Sequence, residues 1–211
     1  MNRFFQPDSG VMRFFGHVAD TLLLNLLWIC FSLPVVTLGA STCALYRVTL
    51  AMARDENVHI PGDFVKAFKE NLRGGTMIGL IMTAAGAALA ADGFILYRLR
   101  FTNALCTIGF AVFLFLTAVY LVVLVYVFPL QAAFRNTPLR MIRNAFLIGV
   151  RYLFCTLLII GIHAVIVCTA VWLVTPILFL GEGLCAFLSS ILLKTVFGAL
   201  ASPASEEGGA E

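Results

Sequence analysis

Ala104–Phe128 reads ALCTIGFAVFLFLTAVYLVVLVYVF, 25 residues without a charged side chain. At about 1.5 Å per residue, such a helix is longer than the about 30 Å hydrocarbon core of a bilayer. Its backbone N–H and C=O groups pair within the helix, as lipid requires. Working outward, four further apolar runs of spanning length lie at about 18–38, 76–97, 152–175 and 176–200. The last is the least clean, with Glu182 near its start and Lys194 in its second half. The composition agrees: 61% of the 211 residues are hydrophobic and 12% charged. Soluble domains hold about 45–50% apolar and about 25% charged residues. Mean hydropathy is +1.00. Too little polar surface exists for a soluble enzyme, a disordered protein or a nucleic-acid binder. The expected fold is all-α: a polytopic transmembrane bundle of five spans forming one domain over 1–200, with cytoplasmic amphipathic connector helices and a disordered tail over 201–211.

Basic residues set the sidedness. Arg47, Arg54, Lys66, Lys69 and Arg73 lie between the first two spans, and Arg135, Arg140, Arg143 and Arg151 between the third and fourth, nine of the 14 Lys and Arg. Positive charge is retained on the cytoplasmic side, so both connectors are expected there, with the N-terminus outside and the C-terminus inside. The net charge of +3 and pI of about 8.6 suit an inner-membrane protein with basic loops. The first span lacks a small-x-small cleavage site. Ala40-Ser41-Thr42-Cys43 fails as a lipidation signal, because Thr42 stands where Gly or Ala is wanted. Cys30, Cys43, Cys106, Cys155, Cys168 and Cys185 lie in or beside apolar runs, without a CxxC or a His at ligand spacing. They read as small buried hydrophobes rather than a disulfide framework or zinc site.

The connectors have helical patterning. Thr42–Arg54 places Ala44, Leu45, Val48 and Met52 on one side, and Arg47 and Arg54 on one face. Pro61-Gly62 then reads as a break, with Asp63 as the N-cap of a further helix. Phe64, Phe68 and Leu72 recur at four-residue steps opposite Lys66, Lys69, Glu70 and Arg73. That amphipathic segment suits the headgroup plane or a protein surface. Two roles remain open for it: a lipid-surface helix that orients the second span, or a docking surface. The second connector opens with Thr137-Pro138, an N-cap followed by proline at the first helical position. Leu139, Ile142, Ala145, Phe146 and Gly149 form its apolar stripe.

Within the spans, Gly75, Gly79, Thr83, Ala87 and Ala91 recur at strict four-residue steps. Such small residues allow close helix packing in lipid, against this chain or another. His17 and Asp20 lie three residues apart at the outer end of the first span and can pair there as an anchor. Asn25 is deeper and needs a hydrogen-bond partner. Pro34 should bend or end the helix. His163, near the middle of the fourth span, is the intramembrane polar candidate: a functional group by the rarity of such residues, or a neutral imidazole bonded to a neighbouring Thr or carbonyl. No acidic residue is expected at its depth. Walker, HExxH and GxSxG motifs are absent in usable context, so catalytic, metal and cofactor sites are not expected.

Asp20 through Tyr46, DTLLLNLLWICFSLPVVTLGASTCALY, resembles the YesL-like family of bacterial integral membrane proteins. The resemblance continues through Phe64–Asn71, Phe128-Pro129-Leu130, Arg135-Asn136-Thr137 and Arg143-Asn144-Ala145, and so covers residues 1–200. The positions carrying the pattern are Asp20, Asn25, Trp28, Pro34, Thr37, Gly39, Thr42, Tyr46, Asn71, Pro129, Arg135 and Asn144. The resemblance gives none of them a catalytic role. It implies a bacterial plasma membrane protein that accompanies carbohydrate-uptake transporters of the ATP-binding-cassette (ABC) type. The expected function is therefore a non-enzymatic accessory or scaffolding subunit. Its expected partners are membrane lipid, the permease subunits of a sugar transporter and copies of itself, with no nucleic acid. The alternative is a small stand-alone transporter using His163 and Asn25.

Overall fold

The computed structural model of the chain describes residues 10–99, 103–134, 136–173 and 176–201. These form α1 (Gly10–Ser32), α2 (Leu38–Ala53), α3 (Ile60–Leu99), α4 (Ala104–Ala133), α5 (Pro138–Arg151), α6 (Leu153–Leu173) and α7 (Pro176–Ala201), with a 3-10 turn at Val35–Thr37. Among the described residues there is no strand. Four segments are long and apolar enough to cross a membrane: Val35–Ala53, Ile60–Leu99, Ala104–Ala133 and Gly181–Ala199. The bent pair Pro138–Arg151 and Leu153–Ile166 makes a fifth if its 102° bend falls within one span. The fold is an all-α membrane bundle. Of the expected tail, Ala201 ends α7 and residues 202–211 lie outside the described residues.

The first expected span, 18–38, ends early. α1 stops at Ser32, just before Pro34, which cannot supply the next helical N–H. The Thr37 hydroxyl closes the turn, donating to the carbonyls of Phe31 at 2.7 Å and Pro34 at 2.8 Å. The chain then reverses into α2, so that Trp28 meets Thr42 and Asp20 shares a cleft with Met52.

α2 occupies the centre of the bundle, packed on α1, α3, α4 and α7. Sequence reading places Thr42–Arg54 in a connector, yet 13 of the 16 residues of α2 are buried. Two properties make a core helix from a polar-looking segment. Gly39-Ala40-Ser41-Thr42-Cys43-Ala44 is small enough for neighbouring helices to approach closely. Its hydroxyls are satisfied within the helix: Ser41 on Thr37 O at 3.1 Å, Thr42 on Leu38 O at 2.8 Å and Thr49 on Leu45 O at 3.1 Å.

α3 is one helix of 40 residues, about 60 Å long by the α-helical rise. The expected break at Pro61-Gly62 does not occur, because a proline in the first helical turn gives up no intrahelical bond. Asp63 lies inside that turn rather than at the cap, and its Oδ2 accepts from His59 N–H at 2.8 Å. Gly62 N–H donates to His59 Nδ1 at 3.3 Å. The basic amphipathic segment is thus continuous with the second span. Phe64 is fully buried, and Phe31 meets the Phe64 and Phe68 rings edge-on at 5.5 and 4.8 Å. Leu72, expected on the same face, is exposed.

α5 begins as expected, with Thr137 extended and Pro138 in the first turn. Its inward face is rotated from the expected stripe: Met141, Ala145 and Gly149 are buried, whereas Leu139 and Phe146 point outward. At the sharp bend into α6, the Thr156 hydroxyl lies 2.8 Å from the Gly149 carbonyl and 3.2 Å from the Tyr126 hydroxyl.

Two basic side chains close helix ends. Arg47 donates to the Ala132 carbonyl at 2.8 Å, near the end of α4, and Lys194 to the Ala53 carbonyl at 2.8 Å, at the end of α2. Carbonyls in a last helical turn lack intrahelical donors and sit at the negative end of the helix dipole. The cation inside the least clean span therefore has a structural task. These contacts bring both basic connectors to one end of the bundle.

Candidate intramembrane cavity

Where α2 passes between its neighbours, its first turns and α1 leave a cavity of ≈ 380 Å³. α1 contributes Trp28, and α2 contributes Leu38, Thr42 and Tyr46. Leu121, Leu124, Val125 and Phe128 of α4 form an apolar wall. Ile160 and His163 of α6 and Glu182 of α7 complete it.

Trp28, Thr42 and His163 are each held by a hydrogen bond. Trp28 Nε1–H donates to Thr42 Oγ1 at 3.2 Å, which fixes the indole across the α1–α2 reversal. His163 Nδ1 lies 2.9 Å from the Ile159 carbonyl. A carbonyl oxygen only accepts, so Nδ1 carries the proton and Nε2 is the nitrogen left for other partners. The expectation that His163 bonds a neighbouring carbonyl holds. The expectation that it has no acidic neighbour at its depth is corrected: Glu182 lines the same cavity and lies within electrostatic reach of His163. Linear counting placed Glu182 at a span end. α7 instead packs along α1 and α2, bringing its first described turns down to the level of Tyr46.

Glycines on either side of Glu182 permit that approach. A Cβ at Gly181 would meet Ile166 Cγ2 at 2.7 Å, and one at Gly183 would lie 3.0 Å from the Thr21 carbonyl. Asn25 finds its partner here, with Oδ1 accepting from Gly183 N–H at 3.1 Å. The triplet Gly181-Glu182-Gly183 near the start of a mostly apolar helix is the signal that would have found the carboxylate.

The remaining pattern positions have structural settings. Pro34 and Thr37 shape the reversal, and Gly39 lies against Gly75 and Gly79. Asn71 is buried and donates to its own helix at Ala67 O, 3.0 Å away. Pro129 is buried inside α4. Asn144 is half-buried on α5, and Asp20 half-buried beside the α2–α3 connection. Arg135 and the His17 side chain lie outside the described residues. The cavity unites Trp28, Thr42, Tyr46 and His163 from the sequence reading, while Asn25 sits beside it through Gly183. Cys43 and Cys185 are buried as expected, whereas Cys30 and Cys168 lie on the outer surface.

The small-residue stripe divides. Gly75 and Gly79 pack against Gly39 and Ala40 in the same chain, whereas Thr83, Ala87 and Ala91 face outward. The α3–α4 contact uses other residues. A Cβ at Gly86 would lie 2.6 Å from the Tyr120 hydroxyl oxygen, and one at Gly93 2.6 Å from Phe113 Cζ. Each ring occupies a glycine notch, and Tyr120 donates to the Met82 carbonyl at 3.1 Å.

Residues 21–93 match the family model described as "Protein of unknown function, DUF624". Over 198 residues the chain is 28% identical to "Uncharacterized protein YesL" of Bacillus subtilis (strain 168), covering 92% of this chain and 91% of that one. No solved structure matches.

Proposed function

From the YesL-like character of the chain, we propose a non-enzymatic accessory subunit in the bacterial plasma membrane, bound to the permease of a carbohydrate-uptake ABC transporter. The observation that carries this reading is the outward face of α3. Thr83, Ala87 and Ala91 form a smooth strip on a membrane-spanning helix, exposed on the single chain. Close packing is the main attraction between helices in lipid, and small residues permit it. A permease helix fits there, as does a second copy of the chain. The basic face of Lys66, Lys69 and Arg73 is exposed nearer the start of the same helix. With the basic end cytoplasmic, it meets anionic lipid or an acidic partner surface. The α1–α2 reversal sets Asp20 beside the α2–α3 connection at that basic end, and Lys194 brings the last turns of α7 there too. In this reading the start of α1 and the end of α7 both lie inside, and the outside N-terminus expected from charge counting does not fit the reversal.

Ala87→Trp tests the strip without touching an intrachain contact. Permease subunits should co-purify with the wild type in mild detergent and be lost with the variant, which should remain monodisperse. Undiminished co-purification would remove the strip as the interface. Lys66→Glu with Lys69→Glu should impair carbohydrate uptake in a complemented deletion strain, by about 1 kcal/mol for each membrane-proximal charge lost. His163→Gln should leave uptake near wild type. The reverse pattern would favour the second reading, a small transporter working through the His163–Glu182 cavity.

Sidedness has its own test. Cysteines at positions 66 and 143, in a background lacking the six native ones, should resist an impermeant thiol reagent applied to intact cells. Efficient labelling from outside would invert the topology.

A further inference from the structure

We propose that the cavity between α2, α4, α6 and α7 binds a monovalent organic cation with apolar substituents, entering from the lipid. This inference is independent of the accessory-subunit reading. Its first support is the charge inventory. Glu182 lines the cavity and no Lys or Arg does. Among the described residues no ion pair or hydrogen bond holds its carboxylate. His163 is the near titratable neighbour on α6, and its Nδ1–H is committed to the Ile159 carbonyl. A carboxyl in an apolar enclosure is held ionised only when a counter-charge accompanies it, which a bound cation would supply.

The second support is the wall. Trp28, Tyr46 and Phe128 bring three aromatic side chains to the cavity, and the rest of α4's contribution is aliphatic. Aromatic faces attract cations most when water is excluded. They also accept apolar substituents, which a small hydrated cation lacks. The volume of ≈ 380 Å³ lies within the range of about 300–1,000 Å³ for small-molecule sites. The third support is access: Leu38 and Leu121 belong to the lining and are 37% and 38% exposed on the apolar exterior. The opening therefore faces the hydrocarbon rather than the basic, water-facing end.

Tetraphenylphosphonium and tetraphenylborate are matched in shape and opposite in charge, so together they separate charge recognition from partitioning. The full chain in phosphatidylcholine nanodiscs is equilibrated with each, against empty nanodiscs. Saturable binding of the cation, near one per chain, is expected, with none for the anion. Glu182→Gln should weaken cation binding at least tenfold. Leu124→Trp fills the cavity from the opposite wall with Glu182 intact, and should abolish cation binding; this variant decides the matter if Glu182→Gln does not fold. Cation uptake no greater than in empty nanodiscs overturns the proposal. So does equal saturable binding of the anion, or wild-type affinity in a folded Glu182→Gln or Leu124→Trp.

Discussion

Two glycine-based helix contacts on α3 work by different means. Toward α2, Gly39, Gly75 and Gly79 bring backbone against backbone: a Cβ at Gly79 would lie 2.8 Å from the Gly39 Cα, and one at Gly39 would collide with the Gly75 carbonyl. Toward α4, Gly86 and Gly93 receive the Tyr120 and Phe113 side chains. The first contact has no flexible element to yield, since both sides are main chain within helices. The second has a side chain on one side, free to change rotamer at modest cost. Glycine supplies close approach in one case and a socket in the other, and the same substitution should have unequal consequences.

The largest effect is expected for Gly79→Leu. It forces α2 and α3 apart along the centre of the bundle and opens the packing around Ile78, Met82 and Cys43, all buried. Overpacking typically costs about 1–3 kcal/mol, occasionally more, and rigid backbone on both sides puts this variant at the upper end. Heating in detergent followed by fluorescence-detected size exclusion should show it aggregating well below the wild-type temperature, if it accumulates at all. Wild-type thermal behaviour would mean that the α2–α3 crossing is not the close contact described.

A smaller and more diagnostic effect is expected at the socket. Gly86→Ala places a methyl group where the Tyr120 hydroxyl lies and should cost about 1 kcal/mol, near the middle of the range for single substitutions. Tyr120→Phe removes that hydroxyl together with its bond to the Met82 carbonyl, also about 1 kcal/mol. The double variant should be more stable than the sum predicts, because the ring without its oxygen leaves room for the methyl. A double-mutant cycle reads this coupling as melting-temperature differences. Strict additivity would separate the two residues.

These contacts also show what was legible in the sequence. Helicity, spanning length and the close packing at Gly75 and Gly79 follow from hydropathy and four-residue spacing alone. Extending that spacing to Thr83, Ala87 and Ala91 missed the socket, because Gly79, Gly86 and Gly93 recur every seven residues and depend on rings at matching intervals in another helix. α2 was misplaced for a related reason. Its hydroxyls and Arg47 lower the local hydropathy, but the hydroxyls bond carbonyls one turn back and Arg47 reaches the end of α4. Glu182 and His163 lie on different helices, 19 residues apart, and only their packing joins them in one cavity. Periodicity reads a single helix; which helix lies opposite is tertiary information.

Gly109→Leu supplies the comparison's lower bound. Gly109 is on α4 in the same hairpin as the sockets, but no ring enters a notch there. The one neighbour that a new Cβ would meet is Leu96 Cδ2 at 3.5 Å, ordinary contact with the tip of a flexible side chain. Gly109 is also partly open to the exterior, so a leucine has room to turn away from α3. Glycine is poor in a helix interior, by about 1 kcal/mol relative to alanine in water. Replacing it therefore brings a small gain in backbone order against a small packing cost. The net change should fall within about 0.5 kcal/mol, the scale of substitutions away from special features, with thermal stability near wild type. A loss comparable to Gly79→Leu would show that any glycine in these spans is sensitive to added bulk. The distinction between backbone contact, socket and open face would then have no energetic content.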